Sequence, residues 1–151
     1  MAKVKTIETP QERLELARRY LENARETLKK ASVDKRAGRY KDIKYVVEAS
    51  GAAYAGALEA LKALFLWEGL LDDPKKLKKV NRFYELLKKS TRIGKDRDLL
   101  LKLFDDAYTI LHISAYYREL QNKKAIDAGF ESVEKIIKIV EKHINSRRRN
   151  G

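Results

Sequence analysis

The chain has 151 residues, of which 44% are hydrophobic and 37% are charged, enough apolar material for one buried core. It contains no cysteine, which excludes disulfides, thiolate metal sites and thiol nucleophiles. A net charge of +12 favours an anionic partner, and no uncharged apolar run approaches the ~20 residues that span a membrane. We therefore expect a cytoplasmic, single-domain protein with no membrane partner.

The first predicted helix begins at Thr9, after a flexible N-terminus of residues 1–8. Thr9 can cap this helix, Pro10 occupies its first position, and Glu12 completes a capping box. The apolar residues that follow are spaced alternately by three and four, which is typical of a helix with one buried face. They are Leu14, Ala17, Leu21, Ala24, Leu28 and Ala31.

The second predicted helix, residues 41–71, follows the polar segment "SVDKRAGRY", in which Gly38 indicates a loop. This helix is apolar over most of its circumference, so we expect neighbours on several of its sides. Two adjacent stripes carry the pattern. They are Ile43, Val47, Ser50, Tyr54, Ala57, Leu61 and Leu64, and then Val46, Ala49, Ala53, Gly56, Ala60, Ala63 and Trp67.

Small residues are concentrated in the middle of the second helix. Ala49, Ala53, Gly56 and Ala60 recur on one stripe and would let a neighbouring backbone approach closely, either within the chain or at a dimer face. A glycine inside a helix costs ~1 kcal/mol relative to alanine, so Gly51 and Gly56 need a compensating contact. Close helix packing is the simplest such contact, and a ligand pressed against the bare backbone is the alternative.

Three further helices are predicted. Asp73 and Pro74 indicate the start of the third, Asp96 can cap the fourth, and a loop near residues 121–123 precedes the fifth. Their apolar stripes are Leu77, Val80, Tyr84 and Leu87; Leu100, Leu103, Ala107, Ile110, Ser114 and Tyr117; and Ile126, Phe130, Val133, Ile137, Val140 and Ile144.

Residues 9–145 are thus predicted to form one all-α domain, and residues 146–151 a basic disordered tail. Short polar loops favour antiparallel neighbours, so the expected architecture is an up-and-down bundle of five helices without a β-strand.

Positive charge is concentrated in residues 74–97, where ten Lys or Arg face two acidic residues, a net charge of +8. Clustered cations favour phosphate contacts, because binding there releases counterions. A solvated helix face in a basic protein is the alternative. The candidate nucleic-acid-binding residues are Lys75, Lys78, Lys79, Arg82, Lys89 and Arg92.

No catalytic constellation can be read from the sequence. There is no glycine-rich phosphate loop and no Glu-x-x-His spacing for a bundle metal site, so we expect no metal and no cofactor. His112 is the one candidate for acid–base chemistry, and a partly buried histidine bonded to a backbone or hydroxyl group is the alternative. Several of the eight tyrosines adjoin cations, as base-stacking residues do, yet Tyr54, Tyr84 and Tyr117 fall on core stripes.

Two stretches carry a resemblance to a known family. "GAAYAGALEALKALF" resembles the second helix of HEPN domains (higher eukaryotes and prokaryotes nucleotide-binding), and "AYYRELQNKKAIDAGFESVEKIIKIVEKHI" resembles their closing unit. The resemblance implies an antiparallel helical bundle, often a homodimer, connected with RNA cleavage or with a nucleotidyltransferase partner in toxin–antitoxin pairs.

The ribonuclease members of that family carry Arg, four to six residues and then His, and this sequence departs from the pattern. The positions required before His112 are Asp105, Asp106 and Ala107, and those before His143 are Ile136, Ile137 and Lys138. The expected function is therefore a non-catalytic HEPN-like module that binds a partner protein or RNA through its basic face. The alternatives are an assembly or scaffold protein whose charge serves only solubility, a bundle of the type encoded within ribosomal RNA intervening sequences, and an enzyme using His112.

Overall fold

A computed structural model describes residues 8–146 of the chain. Within that range five α-helices, one two-stranded sheet, two 3₁₀ turns and one π-helical segment follow one another along the chain. The elements are α1 (Pro10–Lys29), β1 (Val33–Asp34), β2 (Arg39–Tyr40), α2 (Ile43–Glu68), 3₁₀ turns at Pro74–Lys76 and Thr91–Ile93, α3 (Val80–Lys88), α4 (Asp96–Ala107), the π segment (Tyr108–Tyr117) and α5 (Lys123–Asn145). The predicted flexible N-terminus, residues 1–8, and the predicted basic tail, residues 146–151, lie outside the described residues except for Glu8 and Ser146.

The capping box predicted for α1 is confirmed. The Thr9 hydroxyl accepts a hydrogen bond from the backbone N–H of Glu12, and the Glu12 carboxylate accepts one from the N–H of Thr9. The five apolar residues of the predicted stripe that lie in α1 are all buried. They form the face on which α2 packs, so the three-and-four spacing predicted this helix correctly.

The second helix begins two residues later and ends three residues earlier than predicted. The side chain of Asp42 caps its N-terminus, and Gly69 ends it in the left-handed conformation that glycine adopts without strain. α1 and α2 are antiparallel, because Arg13 near the start of α1 pairs with Glu59 late in α2. A Cβ atom on Gly56 would lie 3.1 Å from the carbonyl oxygen of Ala17, which shows how closely the two backbones approach.

The loop predicted between α1 and α2 is instead a β-hairpin, so the expectation of no strand was wrong. Val33 pairs with Tyr40 and Asp34 pairs with Arg39 in an antiparallel register. Gly38 has a positive φ of 66° in the turn. The strands are only two residues long, too short for the alternating pattern by which a strand is recognised in a sequence.

Two predicted helix caps differ in the structure. Asp73 caps the 3₁₀ turn at Pro74–Lys76 rather than α3, which begins at Val80 after an extended stretch. Asp96 is the first residue of α4 and not its cap, since Lys95 holds that position without a capping side chain. The carboxylate of Asp96 instead contacts Lys142 and His143 of α5. The local sequence around Asp96 does not indicate this long-range contact.

The fourth predicted helix changes its winding halfway along. After Ala107 the backbone widens into the π segment, where the N–H of Arg118 donates to the carbonyl oxygen of Ile113, five residues earlier. Each wide turn takes more residues, so the buried positions become Leu111 and Ala115. Tyr117, predicted to be a core residue, is therefore 65% exposed.

The fifth helix packs closely against the π segment because residue 129 is a glycine, which has no side chain. A Cβ atom on Gly129 would lie 2.8 Å from Cδ2 of Leu111 and 2.9 Å from Cγ2 of Ile110. Glycine at this position therefore makes room for the wide turn. The predicted apolar stripe of α5 is buried throughout, as is the Tyr54 ring of α2.

Candidate basic surface and aromatic cluster

The predicted nucleic-acid residues lie on the surface that follows α2, but they are not equivalent. Lys75, Lys78, Lys79 and Lys89 are exposed, and within residues 8–146 none of them forms an ion pair. Lys76, Lys88 and Lys95 share both properties. We call these seven lysines the basic segment.

The two predicted arginines have partners inside the chain. Arg82 forms a 3.2 Å ion pair with Glu85, one helical turn away, and both side chains are more than half exposed. The guanidinium of Arg92 lies 4.1 Å from the centre of the Trp67 ring and donates a hydrogen bond to the Trp67 carbonyl oxygen. Arg92 is therefore held against α2 by a cation–π contact.

Several cations elsewhere on the bundle are paired with carboxylates. Arg18 pairs with Glu141 at 2.7 Å and Arg25 pairs with Glu134 at 2.5 Å, which ties α1 to α5. Further ion pairs along α5 and at the start of α4 involve Lys123, Lys135, Lys138 and Lys142. The basic segment thus carries positive charge that the described chain does not balance.

The backbone beside the basic segment also favours an anion. α3 begins at Val80 without a capping side chain and without an acidic residue in its first turn. The first N–H groups of a helix have no intrahelical partner, and the helix dipole makes that end positive. Lys78 and Lys79 directly precede these N–H groups, so cationic side chains and backbone donors lie together.

The small residues of α2 face the inside of the chain. Ala49, Ala53 and Ala60 have no exposed surface, and Gly56 is buried against α1. Within this structure these four positions are covered by other parts of the same chain.

His112 is part of an aromatic cluster, and its ring forms no hydrogen bond with another residue between 8 and 146. Its ring stacks on Tyr54 with the ring centres 4.6 Å apart and lies nearly parallel to Tyr116 at 5.9 Å. Tyr117 contacts it edge-on at 5.0 Å. Burial lowers the pKa of His112 below its ordinary value, so the ring is neutral at pH 7. The arrangement suits ring stacking better than acid–base catalysis.

A second polar group of side chains lies at the far end of α2. Glu68 Oε1 is buried and has no hydrogen-bond partner within residues 8–146, and the hydroxyl of the fully buried Ser90 donates to the Leu86 carbonyl oxygen. Burial raises the pKa of Glu68, and the nearby Ser90 hydroxyl and the charges of Arg92 and His143 partly offset this effect. Sequence spacing gave no signal for this cluster, since its members come from four separate elements.

A cleft of about 540 Å³ lies between the end of α1, the hairpin and α5. Its lining contains apolar side chains and charges of both signs, and Arg25 pairs with Glu134 within it. The lining residues include Arg25, Leu28, Lys29, Val33, Tyr40, Asp127, Phe130 and Glu134. Among residues 8–146, no group of three His, Asp or Glu side chains is arranged to hold a metal ion. In the same range, no helix is long and apolar enough to cross a membrane.

Fold and surface together define a small all-α bundle protein with an unbalanced basic segment. Residues 12–142 match the family described as Domain of unknown function (DUF5618), and the chain belongs to that family. A solved protein of unknown function from Dyadobacter fermentans is similar over 90% of this chain and 98% of its own, with 30% sequence identity and a TM-score of 0.71. No curated protein matches the chain.

Proposed function

We propose that the chain is a non-catalytic, HEPN-like binding module that holds RNA by its phosphate backbone through the basic segment. The observation that carries the proposal is the set of exposed lysines without ion pairs in the described chain, of which Lys78 and Lys79 directly precede the uncapped N-terminus of α3. Backbone N–H groups and mobile ammonium groups bind phosphate without reading bases. Binding of this kind is independent of sequence and strongly dependent on salt.

The resemblance to HEPN domains supports three further parts of the proposal: an up-and-down helix order, a homodimer, and a nucleotidyltransferase-type protein partner. The absence of the Arg-x4–6-His motif supports a role without RNA cleavage. Sedimentation velocity on the full chain tests the dimer, and a sedimentation coefficient of a monomer at micromolar concentration contradicts it.

The RNA proposal is tested by fluorescence anisotropy of a labelled single-stranded RNA with the full chain at several salt concentrations. The test variant replaces Lys75, Lys78 and Lys79 with Gln. The control variant replaces Lys102, Lys135 and Lys138 with Gln, which removes the same net charge from another exposed surface.

We expect the test variant to bind less tightly and to lower the slope of log affinity against log salt by about 2, because three phosphate contacts are lost. The control variant should keep the slope of the unmodified chain. Equal losses in both variants, or no binding by the unmodified chain at about 50 mM salt, contradict the proposal. Absence of binding favours the alternative of a scaffold protein whose charge serves only solubility.

A further inference from the structure

The opposite end of α2 carries a second basic surface. The loop of residues 118–122 runs along β2: Arg39 forms a β-bridge with Asn122, and the N–H of Tyr40 donates to the Gln121 carbonyl oxygen at 2.9 Å. The Gln121 amide returns a hydrogen bond to the Tyr40 carbonyl oxygen at 2.9 Å. The hairpin and this loop therefore form one joined surface, which we call the hairpin end.

The hairpin end is rich in cations, most of which form no ion pair with the residues that the structure describes. Residues 30–44 and 118–124 contain nine Lys or Arg and three acidic residues, a net charge of +6. Two of the acids are engaged locally, since Asp34 accepts a hydrogen bond from the N–H of Ala37 and Asp42 accepts one from the N–H of Lys44. The exposed cations without an ion pair in the described chain include Lys35, Arg36, Arg39, Lys41, Lys44, Arg118 and Lys124.

Two exposed aromatic rings border these cations. Tyr116 is 43% exposed and Tyr117 is 65% exposed, and Arg118 follows them directly. Tyr116 also contacts α2, because a Cβ atom on Gly51 would lie 3.2 Å from Cδ1 of its ring. Lys44 lies two helical turns before Gly51 on the same side of α2, so the cations and the rings share one face.

The rings are held in place before any ligand arrives. Tyr116 and Tyr117 meet edge-to-face at 5.1 Å, and both contact His112, which rests on the buried ring of Tyr54. In the π segment both tyrosines are exposed, although Tyr117 lies on the predicted core stripe. Wide turns of this type occur frequently at functional sites.

We propose that the hairpin end binds single-stranded nucleic acid, with unpaired bases stacking on Tyr116 and Tyr117 and phosphates contacting the surrounding Lys and Arg side chains. Fixed aromatic rings beside a cationic surface are the arrangement by which proteins bind single strands without reading sequence. A duplex offers no free base faces along its length, so the aromatic contribution is specific to single strands. The site is distinct from the basic segment, because the 26-residue helix α2 separates the two ends by about 39 Å.

The test compares a twelve-nucleotide unstructured RNA with a twelve-base-pair duplex, using the full chain. The test variant replaces Tyr116 and Tyr117 with Leu, which keeps apolar bulk and removes the rings. The control variant is Tyr20→Leu, a change of a tyrosine on α1 that is 36% exposed. We expect the test variant to lose about tenfold in affinity for the single strand, with duplex affinity and salt slope unchanged.

A second variant tests the position of the Tyr116 and Tyr117 rings without removing either ring. Gly51→Ala places a methyl group against the Tyr116 ring while improving helix propensity, so it should weaken single-strand binding several-fold without lowering stability. Photo-crosslinking to RNA that contains 5-bromouridine provides a readout independent of affinity, and we expect the modified peptide to contain Tyr116 or Tyr117.

The outcomes separate this inference from the proposed function. Loss of binding in the tyrosine variant, with no effect of the Lys75, Lys78 and Lys79 substitutions, supports the hairpin end and contradicts the basic segment. Unchanged single-strand binding by the tyrosine variant, equal losses for both RNAs, or crosslinks confined to residues 74–97 overturn the inference. Binding to phosphatidylglycerol vesicles that requires both tyrosines, without RNA binding, also overturns it.

Discussion

Oδ2 of Asp96 lies 2.7 Å from Nε2 of His143, which joins the first turn of α4 to the last turn of α5. The same oxygen accepts a hydrogen bond from Nζ of Lys142 at 2.7 Å. One carboxylate therefore joins the start of α4 to the end of α5. Its two partners, Lys142 and His143, lie 46 and 47 residues further along the chain.

The first prediction concerns Asp96→Asn. Hydrogen bonds from Lys142 and His143 lower the pKa of Asp96 below its ordinary value, so its stabilising effect is present above the unfolded-state pKa of about 3.9. That effect is lost as the pH falls through the lower, folded-state pKa. We expect the variant to lose about 1–3 kcal/mol of unfolding free energy at pH 7 and to converge with the unmodified chain in acid.

Urea unfolding across this pH range measures the effect. Asp98→Asn is the matched control, because Asp98 is in the same first turn of α4 but its side chain is 78% exposed. A difference for Asp96→Asn that is unchanged at about pH 2 would contradict the assigned charge interaction.

The second prediction concerns Glu68→Gln. Burial raises the pKa of Glu68 above its ordinary value, so the folded state is penalised once this carboxyl ionises and stability falls as the pH rises through the folded-state pKa. The variant cannot ionise and should be more stable than the unmodified chain at pH 7. The gain should disappear below the unfolded-state pKa of about 4.3.

Thermal unfolding at pH 7 and at about pH 4 tests this expectation. Glu85→Gln provides the control, since the Glu85 side chain is 61% exposed and should show no such pH dependence. Destabilisation of Glu68→Gln at pH 7 would mean that the ionised carboxylate is favourably bound.

The third prediction compares two glycines of α2. Gly56→Ala places a methyl group 3.1 Å from the backbone oxygen of Ala17, which cannot move without displacing α1, so we expect a loss of about 1–3 kcal/mol. Gly51→Ala meets only side-chain atoms of Tyr116 and no backbone atom, and should gain up to ~1 kcal/mol from helix propensity. Urea denaturation of both variants measures the change in unfolding free energy. Equal changes in the two variants would contradict the idea that the close contact with α1 causes the loss in Gly56→Ala.

The fourth prediction concerns Arg92 and the single tryptophan of the chain, Trp67. Arg92→Ala removes the stacked guanidinium and should cost about 0.5–2 kcal/mol of stability while changing the Trp67 emission. Arg92→Lys keeps the charge but not the planar group, so its emission should also change. Unaltered emission in Arg92→Ala would contradict the cation–π contact.

The spacing of apolar residues predicted the five helices. A helix that buries one face repeats apolar residues every three or four positions, and this period can be read from the local sequence. It also predicted the buried small residues of α2, although not which helix would cover them. The hairpin escaped detection since two-residue strands carry no period, and its hydrogen bonds to residues 118–122 come from a distant part of the chain.

The contacts missed at the sites share one physical cause. Asp96 has the sequence position of a helix cap, yet a cation pair from α5 competes for its carboxylate more strongly than its own backbone does. In the sequence Arg92 cannot be distinguished from the solvated cations around it, and only the folded structure places its guanidinium against Trp67. Both outcomes depend on long-range packing, which a local pattern does not encode.

The residue at position 129 determines whether Tyr117 is exposed, which has a consequence for other members of the family. A relative with a larger residue at this position has no room for Leu111 and Ile110 where they now lie, so its fourth helix should keep ordinary α winding. Such a change would rotate the residue equivalent to Tyr117 towards the interior and remove it from the outside. Across the family, a glycine here and outward-facing aromatic residues should therefore covary, although the glycine itself never touches solvent.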